Sequence, residues 1–167
     1  MKLKSLTLYC SALLASCANP IVISVNEQAI YDPSDRVRNA EVSDADLQGC
    51  INLALQQQGM DSAAQLSTLS CANAEIRDLE RISFLANLRF LDLGDNNVTN
   101  ITPLEDLPLL SGLNLRNNQV RDVGPLLNMP NLSSVNLHGN QSIPCSELDV
   151  LRSRFGANIT LPVTCEN

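Results

Sequence analysis

The sequence has no tryptophan, and its three phenylalanines and two tyrosines make up 3% of 167 residues. Surfaces that stack bases or sugar rings need aromatic faces, so this scarcity disfavours single-stranded nucleic acid and glycan ligands. His138 is the single histidine, and no Cys-x-x-Cys pair occurs. The usual zinc ligand sets cannot be assembled from such a chain, and no metal is expected. No Gly-rich phosphate loop is present either, so no cofactor is implied. Basic residues are few, 11 against 18 acidic ones, for a formal charge of −7. That balance argues against nucleic acid or an anionic lipid surface as the main partner.

What is present begins with residues 1–16, which carry Lys2 and Lys4, no acid, and then Leu6, Leu8, Leu13, Leu14 and Ala15 before Ser16. A charged start, a short apolar run and a small-residue site predict a signal peptide. At about ten residues the run is too short to cross a bilayer as a helix. Removing it would leave 9 basic and 18 acidic residues, a charge of −9, in a chain long enough for one domain with a core.

The order Leu14, Ala15, Ser16, Cys17 resembles the bacterial lipobox. The resemblance implies that Cys17 becomes the first mature residue and is acylated. More than one acyl chain, at about 0.8 kcal/mol per buried methylene, would hold the protein stably on a membrane. Ala18 and Asn19 follow without the aspartate that favours inner-membrane retention in that family, so the resemblance implies a lipid-anchored protein of the bacterial envelope, sorted to the outer membrane. Residues 17–41 contain Pro20 and Pro33 and no sustained periodicity, and read as a tether after Cys17. Fully extended, residues 18–40 of such a tether reach roughly 75 Å at about 3.3 Å per residue. The alternative is that Ile21 to Val25 adds a strand to the folded domain.

From residue 63 the chain repeats. In lines of 22 it reads AAQLSTLSCANAEIRDLERISF (63–84), LANLRFLDLGDNNVTNITPLED (85–106), LPLLSGLNLRNNQVRDVGPLLN (107–128) and MPNLSSVNLHGNQSIPCSELDV (129–150). Leu66, Leu88, Leu110 and Leu132 align, as do Leu69, Leu91, Leu113 and Val135. Cys71 shares a column with Leu93, Leu115 and Leu137, and Pro103 matches Pro125. The fourth line keeps its strand half alone.

These columns resemble the leucine-rich repeat, in the 22-residue class of bacterial internalin-like proteins. Their physics can be read independently. The alternation Leu91, Asp92, Leu93 has period two, which puts the leucines under a short strand and Asp92 on its open face. Each coil can bury its leucines against its neighbours alone, so the coils must stack and their strands form a parallel sheet. Asn96, Asn118 and Asn140 recur where the chain leaves the strand, and their amides predict a structural ladder to adjacent turns. Val98, Ile101 and Leu104 close the convex side through irregular or 3₁₀ structure, where Pro103 and Pro125 are tolerated.

A short stack exposes leucines at both ends and needs caps. Residues 42–62 supply the first: Ser43 or Asp44 can cap a helix with Leu47, Cys50, Ile51, Ala54 and Leu55 on one face, ended by Gly59. Residues 145–167 supply the second, with Leu148, Leu151 and Phe155 on one helical face. Cys50 and Cys71 both point inward at one end, and Cys145 and Cys165 flank the helix at the other. A link between the ends would cross the whole stack, so the expected pairs are Cys50–Cys71 and Cys145–Cys165. Loops of about 20 residues each contribute on the order of 3 kcal/mol. Cys10 leaves with the signal peptide. The expected fold is therefore α/β: a short leucine-rich-repeat solenoid (63–144) with a concave parallel sheet, a helical N-terminal cap and a disulfide-closed C-terminal cap.

No catalytic constellation can be built. His138 has no nucleophile at range, and Asp92 and Asp95 read as solvated acids, so no enzyme is expected. The resemblance implies that the concave sheet face takes the ligand. Phe90 is the one aromatic among the outward strand positions and Arg116 the one fixed cation, and these residue types anchor interfaces. With Asp92, Asp95, Asn114, Asn136 and His138 they form the candidate surface for a protein partner on a monomer. A structural envelope lipoprotein without a dedicated ligand is the alternative, and a glycan-binding surface protein the third.

Overall fold

The structure, a computed structural model, describes residues 23–25, 28–31 and 42–165. The leader, Cys10 and the lipobox with Cys17 lie outside the described residues. The chain divides into two units, Met1–Arg38 and Asn39–Asn167. In the first, β1 (Ile23–Val25) and β2 (Gln28–Tyr31) pair antiparallel in a sheet of their own. A plain tether over 17–41 does not foresee this pair. Its signal was two β-prone runs, ISV and QAIY, separated by two residues.

In the second unit, helix α1 (Ala45–Gln58) starts at Asp44, whose Oδ1 accepts from the N–H groups of Asp46 and Leu47 at 3.0 Å each. The carboxylate thus takes up amides that the first helical turn leaves without partners. Gly59 ends the helix in the left-handed region, φ 64°, where its N–H returns to the carbonyls of Leu55 and Gln56. Leu47, Ile51 and Leu55 are buried against the first coil, as the spacing predicts. Gln48 is buried with them, accepting from the Val42 N–H and donating to Asn52 Oδ1.

Asp44 also reaches the first coil, where its Oδ2 accepts from the N–H groups of Arg77 (2.9 Å) and Asp78 (3.1 Å). Burial works to raise its pKa. The N–H donors of Arg77, Leu47, Asp78 and Asp46 together outweigh that and hold the carboxyl below its ordinary range.

Next come β3 (Thr68–Ser70), β4 (Phe90–Asp92), β5 (Gly112–Asn114) and β6 (Ser134–Asn136), parallel and adjacent in that order. Leu69 pairs with Leu91, Leu91 with Leu113, and Leu113 with Val135, each central residue buried. Partners therefore stand 22 positions apart, the period of the sequence columns. Burial of each such side chain contributes roughly 1.5–3 kcal/mol. Across the coil, 3₁₀ turns at Ile82–Phe84, Thr102–Asp106 and Gly124–Asn128 bury Ile82, Leu104 and Leu126, with Pro103 and Pro125 in the first turns of the last two. The side chains of Asp78, Asn100 and Asp122 each accept from the N–H two residues on and so set the entry to these turns.

Buried Asn96, Asn118 and Asn140 join the coils. Asn118 Nδ2 donates to Leu93 O (2.8 Å) in the preceding coil and to Leu115 O (3.1 Å) in its own, while its Oδ1 accepts from the Val98 N–H (2.9 Å). Asn96 and Asn140 make the equivalent bonds one coil either side. Among the described residues no buried side-chain nitrogen or oxygen lacks a partner.

The C-terminal end differs from expectation by one strand. Helix α2 (Cys145–Phe155) buries Leu148, Leu151 and Phe155, and beyond it β7 (Ile159–Thr160) returns to pair with β6 as a fifth parallel strand. Arg154 of α2 is a second unforeseen feature. Its guanidinium donates to the carbonyls of Leu126 (2.7 Å), Leu127 (2.9 Å) and Met129, tying α2 to the last 3₁₀ turn of the stack. Disulfides close both ends: Cys50–Cys71 ties α1 to the first coil, and Cys145–Cys165 ties the start of α2 to the turn at Val163–Cys165.

Candidate functional site

Each of β3 to β6 has three residues, so the central one points inward and the outer two point to the open face of the sheet. In-register pairing arranges these into rows. Thr68, Phe90, Gly112 and Ser134 form one, and Ser70, Asp92, Asn114, Asn136 and Thr160 the next. Two residues further on, the sequence places Ala72, Gly94, Arg116 and His138. The backbone ladder continues there, with the Asn117 N–H donating to His138 O at 2.7 Å.

Phe90 is 45% exposed, the largest apolar group on this face. Its ring leans over the next strand: a Cβ added at Gly112 would lie 2.8 Å from Phe90 Cδ2. The missing side chain at 112 is what gives the ring its seat. Gly112 and Gly94 are themselves buried rather than open strand positions, since Gly94 is covered by the side chains of Asn114 and Asp92.

The middle row is occupied internally. Asp92 Oδ1 accepts from the Gly94 N–H (2.9 Å) and from Asn114 Nδ2 (2.8 Å), and its Oδ2 from Ser70 Oγ (3.4 Å). Asn114 Oδ1 accepts from the Arg116 N–H and Asn136 Oδ1 from the His138 N–H, at 3.1 and 3.0 Å. All three side chains turn back on their own backbone two residues on, shaping the exit from the strand.

Asp95 has a similar duty. With Asn73, Asn117 and Gly139 it forms a column in the left-handed region, φ 52° to 80°, and its Oδ1 accepts from Asn117 Nδ2 at 2.7 Å. Asn, Asp and Gly are the residues that tolerate this conformation. That recurrence is visible in the sequence as a turn signal, although Asp95 reads there as a candidate ligand contact.

Of the seven candidate residues, Phe90, Arg116 and His138 therefore present side chains without internal duties. Arg116 is exposed and His138 half-buried, and neither the guanidinium nor the imidazole has a hydrogen bond or ion pair among the described residues. The described residues hold no cluster of three His, Cys, Asp or Glu suited to a metal ion. None of their helices is long and apolar enough to cross a membrane.

A family profile described as leucine-rich repeats, two copies, matches residues 108–153. No curated protein sequence matches the chain. Among solved structures, internalin C2 of Listeria monocytogenes is similar at 23% identity and a TM-score of 0.55, over 71% of this chain and 53% of that one. An internalin (inlF) of the same organism gives 25% identity and a TM-score of 0.42, over 58% of this chain and 37% of its own. The functional domain of InlJ of L. monocytogenes, which includes a cysteine ladder, gives 20% and 0.42, over 62% and 30%. The chain spans about half the length of the internalin C2 structure. Together with the in-register parallel sheet, the profile match and the internalin C2 likeness establish a leucine-rich-repeat fold.

Proposed function

We propose that this chain is an envelope-anchored protein-interaction module that takes a protein partner on the concave face of its repeats. The observation that supports it most is Phe90, an exposed ring seated over a glycine on a face whose other side chains are small, polar or internally bonded. An aromatic held in place loses little freedom on binding, and aromatic and Arg side chains are the types that anchor interfaces. Arg116 supplies the second anchor, with Asn114, Asn136 and His138 between and beside them.

In this reading residues 1–16 are removed, Cys17 is acylated, and 17–41 tether a monomer of cap (42–62), repeats (63–144) and cap (145–167) to the outer membrane. The 22-residue internalin-like class accounts for the spacing of the paired strands. A face of so few strands favours a transient contact over a tight one. Photo-crosslinking in cells from position 90, with convex position 102 as control, tests it: a discrete adduct from 90 alone is expected.

A structural envelope lipoprotein is the second reading. It draws support from Asp92, Asp95, Asn114 and Asn136, whose side chains all serve the repeats themselves. Envelope damage on deletion of the protein, fully rescued by a variant lacking both Phe90 and Arg116, would favour it.

A further inference from the structure

Granted the concave-face reading on which it rests, we infer that the partner is a protein segment presenting a carboxylate to Arg116 and an apolar side chain to Phe90. The hydrogen-bonding inventory of the face decides the chemistry. The oxygens of Asp92 and the amide oxygens of Asn114 and Asn136 already accept bonds, and Asn114 Nδ2 already donates. Arg116 keeps its side-chain N–H donors and has no acceptor to offer, and the His138 ring lies on the neighbouring coil at the same register. Adjacent strands lie about 4.8 Å apart, so both side chains can approach one group.

What such a corner lacks is an acceptor. A planar carboxylate matches the planar guanidinium fork, and no acid within ion-pair distance already fills that role among the described residues. Spacing adds the second requirement. From Gly112, under the Phe90 ring, to Arg116 is four residues, about 13 Å of extended chain. An extended ligand segment would span it with an apolar residue and an acid four positions apart.

The rival is a basic segment attracted by Asp95 and by the overall charge of −7. Three blocked peptides of the forms Leu-Ser-Ser-Ser-Glu, Leu-Ser-Ser-Ser-Gln and Leu-Ser-Ser-Ser-Lys separate the two, titrated into the purified full chain while NMR follows the Arg116 Nε–H and His138 ring signals. The Glu peptide should move both signals and bind about three- to fivefold more tightly than the Gln peptide, a preference that R116Q removes; exposed ion pairs are worth about that much. Equal binding of Glu and Gln, or preference for Lys, overturns the inference. A crosslink from position 90 that persists beside such a result would leave the concave-face reading standing and discard the acidic partner alone. A Glu preference that R116Q leaves unchanged would put the acidic contact away from this face and overturn the inference whatever the crosslink shows.

Discussion

Phe90 rests on Gly112, its Cδ2 2.8 Å from where a side chain at 112 would begin. The two residues are partners across β4 and β5, so the ring's seat is built into the sheet register. Gly112→Ala should push the ring off that seat. Because the ring is exposed and can swing, the stability change should stay near 0.5 kcal/mol. Phe90 ring resonances should shift and partner capture should fall. A variant that captures partner as well as the parent would remove Phe90's position from the account.

The asparagine ladder is where stability should be most sensitive. Asn118→Ala leaves Leu93 O, Leu115 O and the Val98 N–H without the side chain that serves them. Each buried orphan costs about 1–3 kcal/mol, though relaxation recovers part of it. Urea unfolding should show a loss of about 2–4 kcal/mol. A loss below 1 kcal/mol would mean the coils hold one another without the ladder.

Replacing both cysteines of either pair by alanine should cost on the order of 3 kcal/mol, since the closed loops have sequence separations of 21 and 20. Hydrogen exchange should then rise first in the cap that lost its bond, in α1 or in α2 with β7. Uniform loosening of the whole stack would contradict separate caps.

Asp44 joins α1 to the first coil through four backbone donors and titrates below its ordinary range. A depressed pKa in the folded state means stabilisation that is present above the unfolded value, near 3.9, and lost as pH falls through the folded value. Asp44→Ala should therefore cost about 1–2 kcal/mol at pH 7, in line with loss of a helix cap. The gap between parent and variant should narrow below about pH 4. A gap that widens on acidification would reverse the sign of the argument.

The columns of the sequence made the sheet legible because a stack of coils repeats one environment: Leu69, Leu91, Leu113 and Val135 each meet the same neighbours. The cysteine pairs followed from the same logic, since inward positions at one end meet. What repetition does not reach was harder. Strand β7 has two residues and joins at Val135 to Ile159, an offset of 24 outside the period. Arg154 acts on carbonyls some 25 positions earlier, a contact that no local pattern encodes. The concave face was half legible. Phe90 and Arg116 stand out by residue type, whereas Asp92, Asn114 and Asn136 read as ligand contacts and their part in turning the chain does not show in the sequence. Short polar side chains serve either purpose, and the backbone amide two residues on is the nearest donor.

The most direct test of the central claim is in-cell photo-crosslinking from position 90 against position 102. The account predicts a discrete protein adduct from 90 that is absent from 102. Adducts from neither position, or the same adducts from both, would contradict a dedicated partner site on the concave face.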